Sequence, residues 1–439
     1  MKIVKNTMLM VCIAILFLSC ASVAHYEAVD SAVAQGNFQG GLAMVNASKD
    51  TDYREIDQVL YNLDAGLLAH YSKDYTHSSE FLGTAERGIA AAFTKSVSKE
   101  VSSYLVNDTT KEYAGEDYED IYINVFNSLN YFYGGSTEDA LVEIRRFDNK
   151  LKAISTKYGT SITNAQQAAL EKNSDIPYDA EAMTVHFTNS ALARYLGMLF
   201  YRGEGLSDDA RIDRDQIKLA FASQPGVYAF PLPTSIANEL AIPAGKARLN
   251  VVSFNGLAPI KTENTTRIQL DSTTWIKIAL PEIHSRPSAI ARTVVEFPTG
   301  ETFELEVIED LSAVAVETFK QKASLLYFKA ILRSTLKTAT GAALESGSNK
   351  SDDSNTAMVL GLLSLTTKIY AEASEQADLR LSRYFPGKAL VGGINLDPGT
   401  YSFTVKYYNA SNTLINEVPF KDVVVRAKQL NLSEAICIK

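Results

Sequence analysis

The histidines are the first place to look for chemistry, and the five of them (His25, His70, His77, His186 and His284) are scattered. His70 and His77 share a helix face only if one helix runs through both, and residues 71–75 read as a turn, so packing or surface roles account for them better than metal ligation. Two acidic runs could in principle hold a cation: "GEDYEDIY" (Glu116, Asp117, Glu119, Asp120) and "SDDARIDRD" (Asp208, Asp209, Asp213, Asp215). Neither has the oxygen spacing and glycine of a calcium loop. Acids at a helix start are favoured by its dipole, which explains both runs. In "ALVEIRRFDNKL", Glu143 and Arg146 stand three apart with Arg145 beside them. Such a face either grips a partner's chain, as in repeat arrays, or forms an intramolecular ion pair of small energetic value. H-E-x-x-H, C-x-x-C, G-x-S-x-G, the phosphate-binding loop and the dinucleotide glycine motif are all missing from the sequence. No catalytic residue, metal or cofactor is therefore expected, and a non-enzymatic role is.

Cys20 carries the one specific chemical signal. Lys2 and Lys5 precede an uncharged run from Thr7 to Leu18, then Ser19 and the cysteine. That is the layout of an export signal too short to stay as a spanning helix. "FLSC" resembles the bacterial lipobox, in which cleavage before the cysteine accompanies its acylation, with Phe17 and Leu18 departing from the usual residues. The three cysteines are Cys12, inside the part removed, Cys20 and Cys437. A disulfide would have to join Cys20 to Cys437, whereas lipidation explains the position of Cys20 directly. Secretion with cleavage further on, in "ASVAH", is the alternative. Losing residues 1–19 removes two lysines and takes the net charge from −9 to −9 − 2 = −11. Ala21 and Ser22 include no Asp, so the expected location is the outer membrane, lipid-anchored and facing the periplasm.

Around these residues the composition, 46% hydrophobic and 21% charged over 439 residues, can bury a large core in several domains. Acids and bases are interspersed without a basic stripe, which argues against nucleic acid. The most apolar later stretch, "AMVLGLLSLT" from Ala357, has the length of a buried helix. The spacing of apolar residues predicts helices over 20–225. One arrangement recurs there: a helix, a short polar or Gly turn, and a second helix with a small residue near its start, at Gly41, Ser78, Ala140 and Ala210. An aromatic before it, Phe38 or Tyr75, fills the gap between helices. Pro225, Pro231 and Pro233 end this texture. A β-rich module follows over 226–315, with "PTGETFELEV" as a hairpin turn entering a half-buried strand. Next come a helical segment, 316–378, with a mobile loop near 345–355, and a small C-terminal β-sandwich-like module, 379–439. "RYFPGKALVGG", with Arg383, Tyr384, Phe385 and Lys388 around a Pro-Gly, reads as a domain junction rather than a loop contact. The fold class is thus α+β and multidomain, with helical hairpins first.

The hairpins resemble tetratricopeptide repeats; the first two copies lie 37 residues apart (41 to 78), and the later intervals of 62 and 70 require insertions. Through "YNLDAGLLAHYSKDY", "INVFNSLNYFYGG", "YLGMLFYRGEGLSDDARID", "LNVVSFNGLAPIK" and "LRLSRYFPGKALVGGINLDPGTY" the whole chain resembles a family of Gram-negative envelope lipoproteins with a tetratricopeptide-like N-terminal half. Members are often encoded beside lipoproteins similar to activators of peptidoglycan synthases. The resemblance implies a role near cell-wall assembly and a protein partner in the envelope, with no activity or binding residue carried over. An enzyme or carrier acting on wall polymer through the β-rich part is the competing expectation.

Overall fold

A computed structural model describes residues 24–97, 108–171, 179–181, 183–269, 275–349 and 376–439. Cys20 and the leader lie outside the described residues, as do most of the expected mobile loop and the helix expected around Ala357. Helices α1 (Ala24–Ala34) and α2 (Phe38–Ala47), α3 (Gln58–Tyr71) and α4 (Tyr75–Val97), α5 (Asp117–Tyr133) and α6 (Thr137–Lys157), and α8 (Ala191–Gly203) and α9 (Ser207–Ser223) form four hairpins stacked in chain order. Helix α7 (Gly159–Leu170) follows α6 directly.

The four turns are built alike. Gly36, Lys73, Gly135 and Gly205 each take a positive φ, between 63° and 92°. Each donates its N–H to the carbonyl three residues back, at 2.8–3.1 Å, and the next residue donates to the carbonyl five back, at 2.8–2.9 Å. This is the Schellman closure, which satisfies helix-end carbonyls and needs a left-handed residue. Four residues into each second helix stand the small residues Gly41, Ser78, Ala140 and Ala210, all buried. Their size is required: a Cβ on Gly41 would come within 3.2 Å of Val33, and the Ser78 hydroxyl donates to the Gly66 carbonyl at 2.8 Å. Phe38 packs on Tyr71 and Tyr75 stacks on Tyr133, each belonging to the next hairpin, with centroids 5.3 and 5.0 Å apart.

Strands β1 (Ala247–Asn255), β4 (Arg292–Glu296), β5 (Thr302–Asp310), β6 (Lys388–Leu396), β7 (Gly399–Tyr408), β8 (Leu414–Val425) and β9 (Asn431–Cys437) make one seven-stranded sheet in the order β8-β7-β4-β5-β6-β1-β9. It is antiparallel except for the parallel pair β1/β9. Its two ends curl together, with Asn416 donating to the Cys437 sulfur at 3.3 Å and Lys439 to the Ile415 carbonyl at 3.1 Å, so the barrel is nearly closed. The separate β module over 226–315 and C-terminal sandwich over 379–439 are therefore not what forms. Alone, β5 and β1 would each expose an unpaired edge; β6, from the C-terminal segment, bonds to both and covers them. The turn at Gly300 (φ +87°) and the one at Asn409–Asn412 appear where the sequence places them.

Strand β1 is buried along its whole length because both its faces are covered. Leu249 and Val251 point into the barrel with Val295, Phe403, Val405 and Tyr407. Val252 and Phe254 point the other way, into the core of the helical array. A hairpin of β2 (Ile260–Gln269) and β3 (Trp275–His284) packs on helix α10 (Leu311–Asn349), where Ile276 and Ile278 meet Phe328 and Ile331. Helix α10 runs on through Asn349, into the stretch expected to be loop.

Candidate functional site

The first helices of the hairpins face the sheet, and the second helices face solvent. Every residue of α3 from Val59 to Tyr71 is buried, as is most of α5 and α8. In an open helical array this inner side would be the concave groove that takes a ligand. Here the chain's own sheet occupies it. Phe126 of α5 lies 5.1 Å from Phe254 of β1 and 5.9 Å from Phe385 (ring centroids), and Tyr118 lies 5.7 Å from Phe385.

Buried polar groups join the two sides. His70 of α3 meets Asn130 Oδ1 through Nδ1 (2.6 Å) and Glu434 Oε1 of β9 through Nε2 (2.7 Å). The Asn130 amide is oriented by donating to Ser78, so both ring nitrogens face acceptors and the imidazolium is the form that satisfies them. Burial opposes that charge, but Glu434 and the two hydrogen bonds outweigh it and raise the pKa. His77, by contrast, sits on α4 in solvent beside Asp74. Glu309 of β5 accepts from Ser190 at 2.8 Å, Tyr228 at 2.7 Å, Tyr122, and the Leu192 N–H at the start of α8. Burial still holds its pKa above the usual carboxylate range, against these bonds. Glu239 takes Arg248 of β1 at 2.7 Å and Arg202 of α8 at 3.0 Å, while Asn250 links Arg202 to Tyr195.

The segment 376–387, which contains "RYFPG", straps this seam. Arg380 pairs with Asp57 and Asp378 at 2.8 and 2.7 Å. Ser382 donates to Asp64 through its hydroxyl and to Glu119 through its N–H, and Arg383 pairs with Asp30. Burial pushes Asp64 up to about 6 despite its bonds to Ser382, Arg383 and Tyr53. Burial, reinforced by the charge of Glu116, pushes Glu119 up to about 7.

The acidic run at Glu116 begins α5 as a capping box with Glu119, in keeping with the helix-start reading. It does more than that reading asks: Glu116 binds Lys261 of β2 and Lys322 of α10, and Asp117 binds Lys157 at 2.7 Å. These lysines overcome burial and lower the Glu116 pKa. In the second run Asp208 and Asp209 are exposed in the first turn of α9, while Asp213 is buried against Arg194 at 3.0 Å.

The Glu143, Arg145, Arg146 trio is split by the fold. Glu143 is buried and accepts from Asn124 of α5; Arg146 bridges it, at 2.6 Å, to Glu86 of α4. These two form an internal clamp between hairpins. Arg145 is exposed on the outer side of α6, beside Val142, which is 42% exposed. Sequence reasoning read His70 as a packing or surface residue without finding its partners, and missed Glu309 and Glu434; these partners stand up to 364 residues away.

Among the described residues no group of His, Cys, Asp and Glu is arranged to hold a metal ion, and no helix is long and apolar enough to cross a membrane. The seam's titratable groups are committed to each other. The chain matches no protein-family model, no curated protein and no solved structure.

Proposed function

We propose that this chain is a lipid-anchored protein of the bacterial envelope that binds or scaffolds another envelope protein near the site of cell-wall assembly, through tetratricopeptide-like repeats and without catalysis. The observation that carries the reading is the filled inner face. An array whose groove is closed by its own sheet through interlocked aromatic and ionic contacts is a rigid support, and what it offers a partner is the outer side of its second helices. On α6 that side presents Arg145, a residue type enriched at interfaces, beside the exposed apolar Val142. The common Schellman turns and the small residues at Gly41, Ser78, Ala140 and Ala210 support the repeat reading. The reading places the anchor at Cys20, four residues before Ala24. Four residues can span at most roughly 14 Å, so on this reading α1 would lie close to the lipid surface.

The test is recovery of partners from detergent-solubilised membranes by the full chain and by its Val142→Asp and Arg145→Glu variants. A defined protein captured by the wild type and lost from both variants supports the reading. Equal capture by all three removes the α6 surface from it, and recovery of wall polymer with no protein overturns the reading in favour of a carrier role.

A further inference from the structure

A cavity of about 300 Å³ opens at one rim of the barrel, where the end of β1 meets the start of β4, the end of β5 and the start of β6. Its wall carries three cationic side chains from separate segments, Arg286, Arg292 and Lys388, against one side-chain carboxylate, Asp310. That excess stands out in a chain whose net charge is −9.

The carboxylate is partly spent already. Asp310 accepts the Ala313 N–H at the head of α10 at 3.0 Å, and its other oxygen stays 3.6 Å from Lys388 Nζ, longer than a hydrogen bond. Arg292 is engaged outside the cavity, with Glu304 at 3.0 Å and the Tyr408 ring at 4.7 Å. Arg286 differs from both. Its Nε and Nη2 donate to the main-chain carbonyls of Ala258 and Arg383, each at 2.6 Å, which leaves Nη1 unspent. Among the described residues no carboxylate pairs with it directly; Asp30, already paired with Arg383, acts on it only through space. Burial and the neighbouring charge of Arg383 pull its pKa down to about 10, the mark of a cation short of counter-charge.

We propose that this cavity binds a small oxyanion, the carboxylate or phosphate group of a ligand, with Arg286 as the fixed donor and Lys388 as the mobile cation that closes on it. A guanidinium already held by neutral carbonyls loses little freedom on binding, and an incoming anion supplies the missing counter-charge. Asn255 and Thr293 on the floor, bonded to each other at 2.9 Å, give the ligand a polar bed. The inference stands apart from the proposed anchor and partner.

The experiment is calorimetric titration of the full chain at low ionic strength with inorganic phosphate and, separately, with succinate. Saturable binding of either probe is expected, and the tighter one identifies the source of the oxyanion. Lys388→Ala, a change at an exposed side chain, is expected to weaken it about tenfold, the loss of one charge-assisted contact. Asp310→Asn keeps the helix cap and is expected to tighten binding by removing the repelling charge. Absence of saturable heat for both probes up to about 10 mM overturns the proposal, as do unchanged affinities in both variants.

Discussion

Phe126 is where the array and the sheet meet most closely, and truncating it gives the most informative perturbation. Its ring is fully buried, 5.1 Å from His70 on the array side and 5.1 Å from Phe254 on the sheet side. Phe126→Ala removes a ring from a packed site that cannot collapse, and the loss is about 3–5 kcal/mol. The same holds for Phe254→Ala. What tests the seam is the coupling between them: rings in contact across an interface are worth about 0.5–1.5 kcal/mol beyond their separate burial. Urea unfolding of the wild type, both single variants and the double variant, followed by far-ultraviolet circular dichroism, gives that cycle. The expected result is a double variant less destabilised than the sum of the singles by about 1 kcal/mol. Additivity within about 0.3 kcal/mol would mean that the rings do not touch, and that the array and the sheet are not packed as described.

Further outcomes follow from single sites. Lys73 is exposed and holds a left-handed conformation that its three counterparts fill with glycine; Lys73→Gly should raise stability by about 1 kcal/mol, and a lowered urea midpoint would refute the account of the turns. His70, Asp64 and Glu119 all have folded pKa values above their ordinary ones, with Asp64 at about 6 and Glu119 at about 7. Their contribution is complete below the unfolded pKa values and is lost as pH rises through the folded ones, so the urea midpoint should fall between pH 5 and pH 8. A midpoint that rises over that window would contradict the protonation states assigned to the seam. Cys20→Ala, assayed by fractionation, should move the protein from the membrane pellet to the soluble fraction; retention in the pellet would remove the lipid anchor from the account. Arg146→Ala should lower the urea midpoint more than Arg145→Ala, because it leaves the buried Glu143 with Asn124 as its remaining partner, whereas Arg145→Ala should leave stability within about 0.5 kcal/mol.

The hairpins were legible because everything that makes them is local. The turn residues Gly36, Gly135 and Gly205, the small residues behind them and the aromatic at Phe38 or Tyr75 lie within a few positions of one another. The strands were legible for the same reason, except β9. It carries the polar Asn431, which is buried, and Glu434, which is half-buried, and its parallel pairing with β1 joins positions some 180 residues apart. The separation of the β segments failed on the same point: alternation marks a strand but does not name its neighbour, and β6 sits between β5 and β1 for reasons of edge pairing. The site suffered most. His70 looked isolated because its counter-charge is on the last strand, and nothing near Glu309 in the chain marks it out, although four donors from other elements converge on it. Glu143 and Arg146 were visible as a pair, but only packing shows that they face a neighbouring hairpin while Arg145 faces solvent.

Amide hydrogen exchange of the full chain, resolved by peptide, tests most directly whether the inner face of the array is closed by the sheet. The account predicts that α3, α5 and α8 exchange as slowly as β1 and β6 and open together with them in one cooperative event. Rapid exchange along α3 and α5 while the barrel strands stay protected would contradict it, and would return the inner groove to the surfaces open to a partner.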